Sequence, residues 1–267
     1  MVDAERPAPP PRRSVSLRPA RRALGPLALL GAWQLASAVG WLDPATLAPP
    51  ATVLRSAREL VSSGELPEAL GVSLQRVAWG LLFGIGAGTF LAVVSGATRL
   101  GEDLLDSLVQ FLRALPVFAL IPLFILWFGI GEEVKVILIA VAVAFPTYLN
   151  TFPGIRGVDG RLVEAATTFG VRRLGLVRHV VLPAALPGFL VGLRYAFGIS
   201  WLVLVVAETI NASSGMGFLM NNARSFGRTD VLVVCLLVYG LLGLASDAVV
   251  RLLERRLLAW RRGFDGR

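Results

Sequence analysis

Six apolar stretches, each about 20 residues long, leave this chain few ways to fold. Such a stretch matches the roughly 30 Å hydrocarbon thickness of a bilayer. Inside lipid the backbone must satisfy its own hydrogen bonds, so each stretch is expected to be a helix. The stretches fall near 24–42, 77–95, 108–128, 134–152, 186–208 and 231–249. With 55% hydrophobic and only 16% charged residues among 267, the balance is that of a polytopic membrane protein. The expected fold is therefore all-α, with about six transmembrane helices over residues 24–250.

The net charge of +8 invites a nucleic-acid reading, but its distribution argues against one. Of the 26 basic residues, nineteen fall before Ala23, in 96–113, in 153–185 and from Arg251 onward, whereas six fall in the alternate connections and Arg194 lies within a span. Basic residues concentrate in cytoplasmic loops, so both termini of this multi-pass protein are expected to be cytoplasmic. A basic, Pro-rich leader over 1–23 has too few apolar residues to pack and is expected to be disordered. A basic tail over 251–267 is expected on the same side. The stretch "RRALGPLALLGAWQLASA" also looks like a signal peptide, with Ala36 and Ala38 at A-x-A spacing. The apolar run continues to Leu42, favouring an uncleaved first helix.

Between the first two spans an amphipathic helix is expected, with Val53, Ala57, Leu60 and Val61 on one face. Gly80, Gly84 and Gly88, spaced by four, would let a neighbouring helix approach closely. Pro116 and Pro122 should bend the third span, and Pro146 the fourth. The short connection "GIGEEVK" suggests that spans three and four form a tight antiparallel pair.

Several chemistries are excluded. Lys135 is the only lysine, and "GIGEEVKV" is not a phosphate-binding loop. His179 stands alone, Cys235 has no partner for a disulfide or a zinc site, and no serine occupies a nucleophile elbow. No catalytic residue, metal site or cofactor is expected on this chain.

The segment "EAATTFGVRRLGLVRHVVLP", Glu164 to Pro183, interrupts the apolar pattern. Asp159 can cap a short helix there. Leu162, Val163, Ala166 and Phe169 would form its apolar stripe, and Gly170 permits a break. A second piece should turn Leu174, Val177 and Val181 inward and Arg172, Arg173 and Arg178 outward, with Pro183 and Pro187 starting the next span. The loop 156–185 is thus a helix–break–helix outside the bilayer. Its small alanines would let a partner's groove close around it.

This segment resembles the signature of importer-type ABC transporter permeases: Glu164, Ala165, Ala166, then Gly170, Val180, Leu182 and Pro183. Only Val180, in place of isoleucine, departs from it. "SLQRVAWG", "LRALPVFALIPLFILWFGIGEEVK", "FPTYLNTFPGIRGVD", "WLVLVVAETINASSGMGFLMNNAR" and "DAVVRLLERRLLAW" look like the aliphatic sulfonate permeases, a group close to the taurine and nitrate permeases. The resemblance implies a second permease copy, two ATPase subunits that bind ATP and magnesium, and an extracytoplasmic binding protein. It also implies that the helix around Glu164–Gly170 is a coupling helix between the fourth and fifth spans, docking on the ATPase. Taurine, nitrate or pyrimidine-precursor transport are alternatives. An ion-driven carrier is a rival of another class, weakened because no internal repeat is evident.

Arg194, Trp201 and Glu208 stand seven residues apart and share one helix face. One reading makes this face a path between two permease copies, with Arg194 attracting an anion, Trp201 narrowing the path and Glu208 holding an outer gate. The other has Arg194 snorkelling to the interface, Trp201 packing and Glu208 at the outer helix end.

Overall fold

The computed structural model describes residues 18–259, which form helices and connections with no strand among them. In chain order the α-helices are α1 (Arg18–Ala38), α2 (Pro50–Ser62), α3 (Glu65–Ala97), α4 (Arg99–Gly101), α5 (Ser107–Leu112) and α6 (Ile121–Phe128). They continue with α7 (Glu132–Arg156), α8 (Gly160–Thr168), α9 (Arg173–Leu176), α10 (Leu182–Asn211), α11 (Met216–Ser225) and α12 (Thr229–Leu257). Most of the leader expected over 1–23 and the tail beyond Ala259 lie outside the described residues; α1 nevertheless begins inside that leader, at Arg18.

Among the described residues, four helical stretches are long and apolar enough to cross a membrane: Glu65–Gly96, Glu132–Arg156, Val177–Ile210 and Thr229–Leu257. The third expected span is not one helix. Its halves, Arg99–Leu112 and Val117–Phe128, meet at 87°. Pro116 supplies the break with an extended backbone, while Pro122 sits in the first turn of α6 and bends nothing, as expected where no donor is needed. The first expected span survives as a shorter apolar helix, Leu24–Ala38.

The core of the bundle is α3, α7 and α10, drawn together by small residues. A Cβ on Gly84 would lie 2.5 Å from the Ala140 carbonyl oxygen, and one on Gly88 2.5 Å from that of Ala144. On the other side of α7, a Cβ on Gly192 would lie 2.9 Å from the Pro146 carbonyl oxygen, and one on Gly188 2.3 Å from that of Asn150. Without a strong hydrophobic force between helices in lipid, such backbone approach supplies the dispersion contact that holds them. The expected tight pairing of spans three and four is therefore corrected. α7 gives its small-residue faces to α3 and α10, and α6 joins the same apolar cluster through Ile121, Phe124 and Ile125.

The amphipathic helix is α2. Val53, Ser56 and Leu60 are buried where α2 packs on α12 and α3, but Val61 is exposed. At 100° per residue Val61 follows Leu60 out of the contact face. Ser56 donates a 2.5 Å hydrogen bond to Asp230 in the first turn of α12. Cys235 is fully buried in this second apolar cluster.

Gly84→Leu is expected to lower stability by about 1–3 kcal/mol or more through overpacking, whereas Gly86→Ala, where a Cβ meets nothing within 4 Å, should be neutral. Thermal unfolding in detergent micelles distinguishes the two.

Candidate functional site: an exposed loop helix and a buried ion-pair cluster

The two ends of the bundle carry different chemistry. At one end the chain leaves α7 at Arg156, which pairs with Glu102, and enters α8. The Asp159 carboxylate accepts from the Arg161 backbone N–H at 2.9 Å, so the expected cap is present. Glu164 and Ala165 are exposed and Ala166 is half-buried. Of the expected apolar stripe only Val163 and Ala166 turn inward; Leu162 is exposed and Phe169 is 87% exposed. Gly170 takes φ +78°, a left-handed conformation that ends the helix at little strain.

The second piece differs from expectation. α9 is not a separate helix outside the bundle but runs through a π-helical turn, Val177–Val181, directly into α10. Pro183 follows directly on the π-helical turn, where the regular α-helical hydrogen-bond pattern is already interrupted. Val177 and Val181 are half-buried as expected, and Arg172 and Arg178 exposed; Arg173 and Leu174 have no described side-chain setting. Val180 is half-buried, and Leu182 and Pro183 are exposed. The signature thus divides: Glu164 to Gly170 form one exposed helix and its stop, while Val180 to Pro183 begin the membrane rod.

The seven-residue stripe on α10 faces α12 of the same chain. Arg194 donates to Glu254 at 2.7 Å and lies 3.6 Å from Asp247. Trp201 Nε1 donates to Ser246 Oγ at 2.9 Å, and the Tyr239 hydroxyl meets Glu208 at 3.3 Å. These are polar rungs of an antiparallel helix pair. Trp201 and Glu208 are buried and join α10 to α12 within this chain.

Glu208 belongs to a larger cluster at the opposite end from α8. Arg76, 3% exposed, directs all five guanidinium N–H groups to acceptors. Nη1 donates to Glu208 Oε1 at 2.5 Å and to the Ser214 carbonyl at 2.8 Å. Nη2 donates to Glu132 Oε1 at 2.8 Å and Ser214 Oγ at 3.1 Å, and Nε to Glu132 Oε2 at 2.5 Å. Glu208 accepts further bonds from Ser73 at 2.8 Å and from the Gly217 N–H at 2.8 Å, and the Met216 N–H donates to Ser73 Oγ at 2.9 Å. Gly215, at φ +99°, lets the turn close over this cluster. A Cβ there would lie 2.5 Å from both Arg76 Nη1 and Glu208 Oε1.

Lys135 is buried beside Glu132, with Nζ 2.8 Å from Oε1. Sequence reasoning had Arg76 as one outer-loop charge among others and so missed this cluster. The signal was present: α3 begins at Glu65, twelve residues before the apolar run, and places Ser73 and Arg76 one turn apart on one helix face. Among the described residues no group of histidine, cysteine and carboxylate side chains could hold a metal ion.

With this geometry in view, comparison with known proteins decides the family. A family model, "Binding-protein-dependent transport system inner membrane component", matches residues 80–259. The chain belongs to that family. It is 47% identical over 235 residues to an aliphatic sulfonates transport permease of Escherichia coli, covering 88% of this chain and 89% of that one. A permease of the same description from Bacillus subtilis is 40% identical over 260 residues, covering 95% and 94%. The taurine transport system permease of Escherichia coli is 32% identical over 243 residues, covering 89% and 88%. Among solved structures, an amino acid ABC transporter chain superposes with TM-score 0.60 at 17% identity, covering 74% of this chain and 97% of that one. A chain of the MetNI methionine ABC transporter gives 0.51 at 21%, covering 70% and 93%. These two show the fold. The protein is a multi-pass membrane permease subunit of an ABC importer, and the ion-driven carrier is set aside.

Loss of one partner from the buried pair should be severe. Glu208→Ala is expected to reduce stability by about 3–5 kcal/mol, because it leaves the Arg76 charge buried and half-compensated. The double variant Arg76→Met with Glu208→Leu should recover most of this, measured by denaturant unfolding in micelles.

Proposed function

We propose that this permease imports aliphatic sulfonates, working as a pair of identical chains with two separate ATPase subunits and an extracytoplasmic binding protein. The observation that carries the cargo is the high, nearly full-length identity to aliphatic sulfonate permeases, which exceeds that to the taurine permease. Nucleotide chemistry belongs to the partner, since no phosphate-binding loop occurs on this chain.

Coupling is assigned to α8. A helix whose apolar Leu162 and Phe169 stand in the open is suited to insert into a cleft on another subunit, and Ala165 and Ala166 keep its surface low. ATP binding would draw the paired ATPase subunits and their docked α8 helices together. Because α9, the π-helical turn and α10 are continuous, that movement is delivered along α10 to the Glu208 cluster at the far end. The bundle then opens outward to receive cargo from the binding protein, and hydrolysis returns it inward. In this reading the α8 end is cytoplasmic and the Arg76 end faces outward, following the positive charge.

Glu164→Lys, Ala166→Arg and Gly170→Leu are each expected to remove most sulfonate-stimulated ATPase activity from the reconstituted complex, with the permease still inserted. Wild-type stimulation in all three would exclude α8 as the coupling element. Orientation has its own test. In a Cys235→Ala background, cysteines at Ser63 and Ser213 should react with an impermeant thiol reagent from outside, and one at Thr168 only after the membrane is opened; the opposite pattern reverses the topology.

A further inference from the structure

One sector of α10 is left open by its neighbours. Counting about 100° per residue from Arg194, the α12 seam of Arg194, Trp201 and Glu208 lies near 0°. The α7 contacts at Gly188 and Gly192 lie at about 120–160° on the same count, and Val191, Tyr195, Gly198 and Leu202 fall between, at about 40–100°. All four are exposed, Tyr195 by 62%. The Tyr195 hydroxyl has no hydrogen-bond partner among the described residues. A Cβ on Gly198 would meet nothing within 4 Å, so a notch lies one turn above Arg194 and Tyr195.

This sector lies at bilayer depth. The rod from Val177 to Ile210 is about 50 Å long, and Tyr195 stands about 27 Å from its Val177 end. A hydrocarbon slab about 30 Å thick, set anywhere along that rod, covers the stretch about 20–30 Å from that end. Beside Tyr195, Arg194 pairs with Asp247 and Glu254, and Arg251 pairs with Asp247. These four side chains keep 26–50% of their surface open.

A free hydroxyl and four half-open charges are costly against lipid tails. A close-packed protein surface would dry the charges, and that cost tends to exceed their mutual attraction. Water keeps them at little cost. Two cations and two carboxylates also cancel, so such a wall holds a passing anion weakly enough to release it.

We propose that Val191, Tyr195, Gly198 and Leu202, with Arg194 at the edge, line a water-filled passage through the transporter. The Tyr195 hydroxyl donates to the cargo's sulfonate head at the Gly198 notch, while its aliphatic part passes Val191 and Leu202. A sulfonate offers only acceptors, which a free donor matches. The role of Tyr195 rests on the sulfonate-import reading; the passage does not.

The test uses the permease assembled with its ATPase and binding protein in proteoliposomes. Single cysteines in a Cys235→Ala background are treated with 2-sulfonatoethyl methanethiosulfonate, a small anion that modifies thiolates in water, and the permease is read by mass spectrometry. Gly198→Cys and Leu202→Cys should be modified. Leu244→Cys should not, since Leu244 is 66% exposed on the side of α12 turned about 160° from Ser246. If Gly198→Cys fails to fold, Leu202→Cys decides alone. Protection at the α10 positions, or equal modification of Leu244→Cys, would overturn the passage. Tyr195→Phe should lower sulfonate uptake about tenfold or more, the size of one hydrogen bond to a charged group. The assembled complex should melt as the wild type does, because the hydroxyl bonds nothing in the protein. Full uptake overturns the donor role, and so does a lower melting temperature, which would show the hydroxyl held by the second copy. A wild-type complex that takes up no sulfonate refutes the cargo reading and the role of Tyr195 with it, while the cysteine labelling still decides the passage.

Discussion

Arg76, with the Glu208 it pairs with, ties together most of the bundle at one end. Its five donors reach α7 through Glu132, α10 through Glu208 and the turn before α11 through Ser214, while Ser73 and Tyr239 bring in α3 again and α12. In a low-dielectric interior each such bond is strong, and each absent partner is expensive. The cluster is therefore an all-or-none arrangement: the helices meet at this end in one geometry, or the charges are left without partners. The small-residue contacts along α3, α7 and α10 hold the helices close but specify little about their rotation. The charges supply that.

This division also explains what the α10 stripe does. Arg194, Trp201 and Glu208 recur every seven residues because α12 packs antiparallel along α10 and meets it at a polar rung each two turns. The same spacing that suggests a path on one helix describes a seam between two. Periodicity identifies a face; it does not identify what the face meets.

Much of the fold was legible in the sequence because a bilayer admits few backbone solutions. The apolar runs located four of the six expected spans as membrane-length helices, and Gly80, Gly84 and Gly88 announced a close approach that α7 fulfils. Asp159 and Gly170 marked the start and stop of α8 through local capping chemistry alone. What stayed hidden depended on distant partners. Nothing near Arg76 in the chain reveals that Glu132 and Glu208 converge on it from 56 and 132 residues away. Nor does the sequence show that Pro116, but not Pro122, breaks its span, since that depends on where α6 begins. Val61 was misplaced for a simpler reason, as an apolar residue adjacent to a buried one need not share its face.

The π-helical turn at Val177–Val181 has a mechanical consequence. A helical rod from Val177 to Ile210 is about 50 Å long at 1.5 Å per residue. Tilting such a rod by about 5° at one end sweeps the other by about 4 Å, enough to pull a packed side chain away from its neighbour. The wider turn lies where the rod meets the loop, with its backbone hydrogen bonds already loosened from the α-helical pattern. It can act as a compliant joint at the driven end of a stiff lever, absorbing twist while passing on tilt.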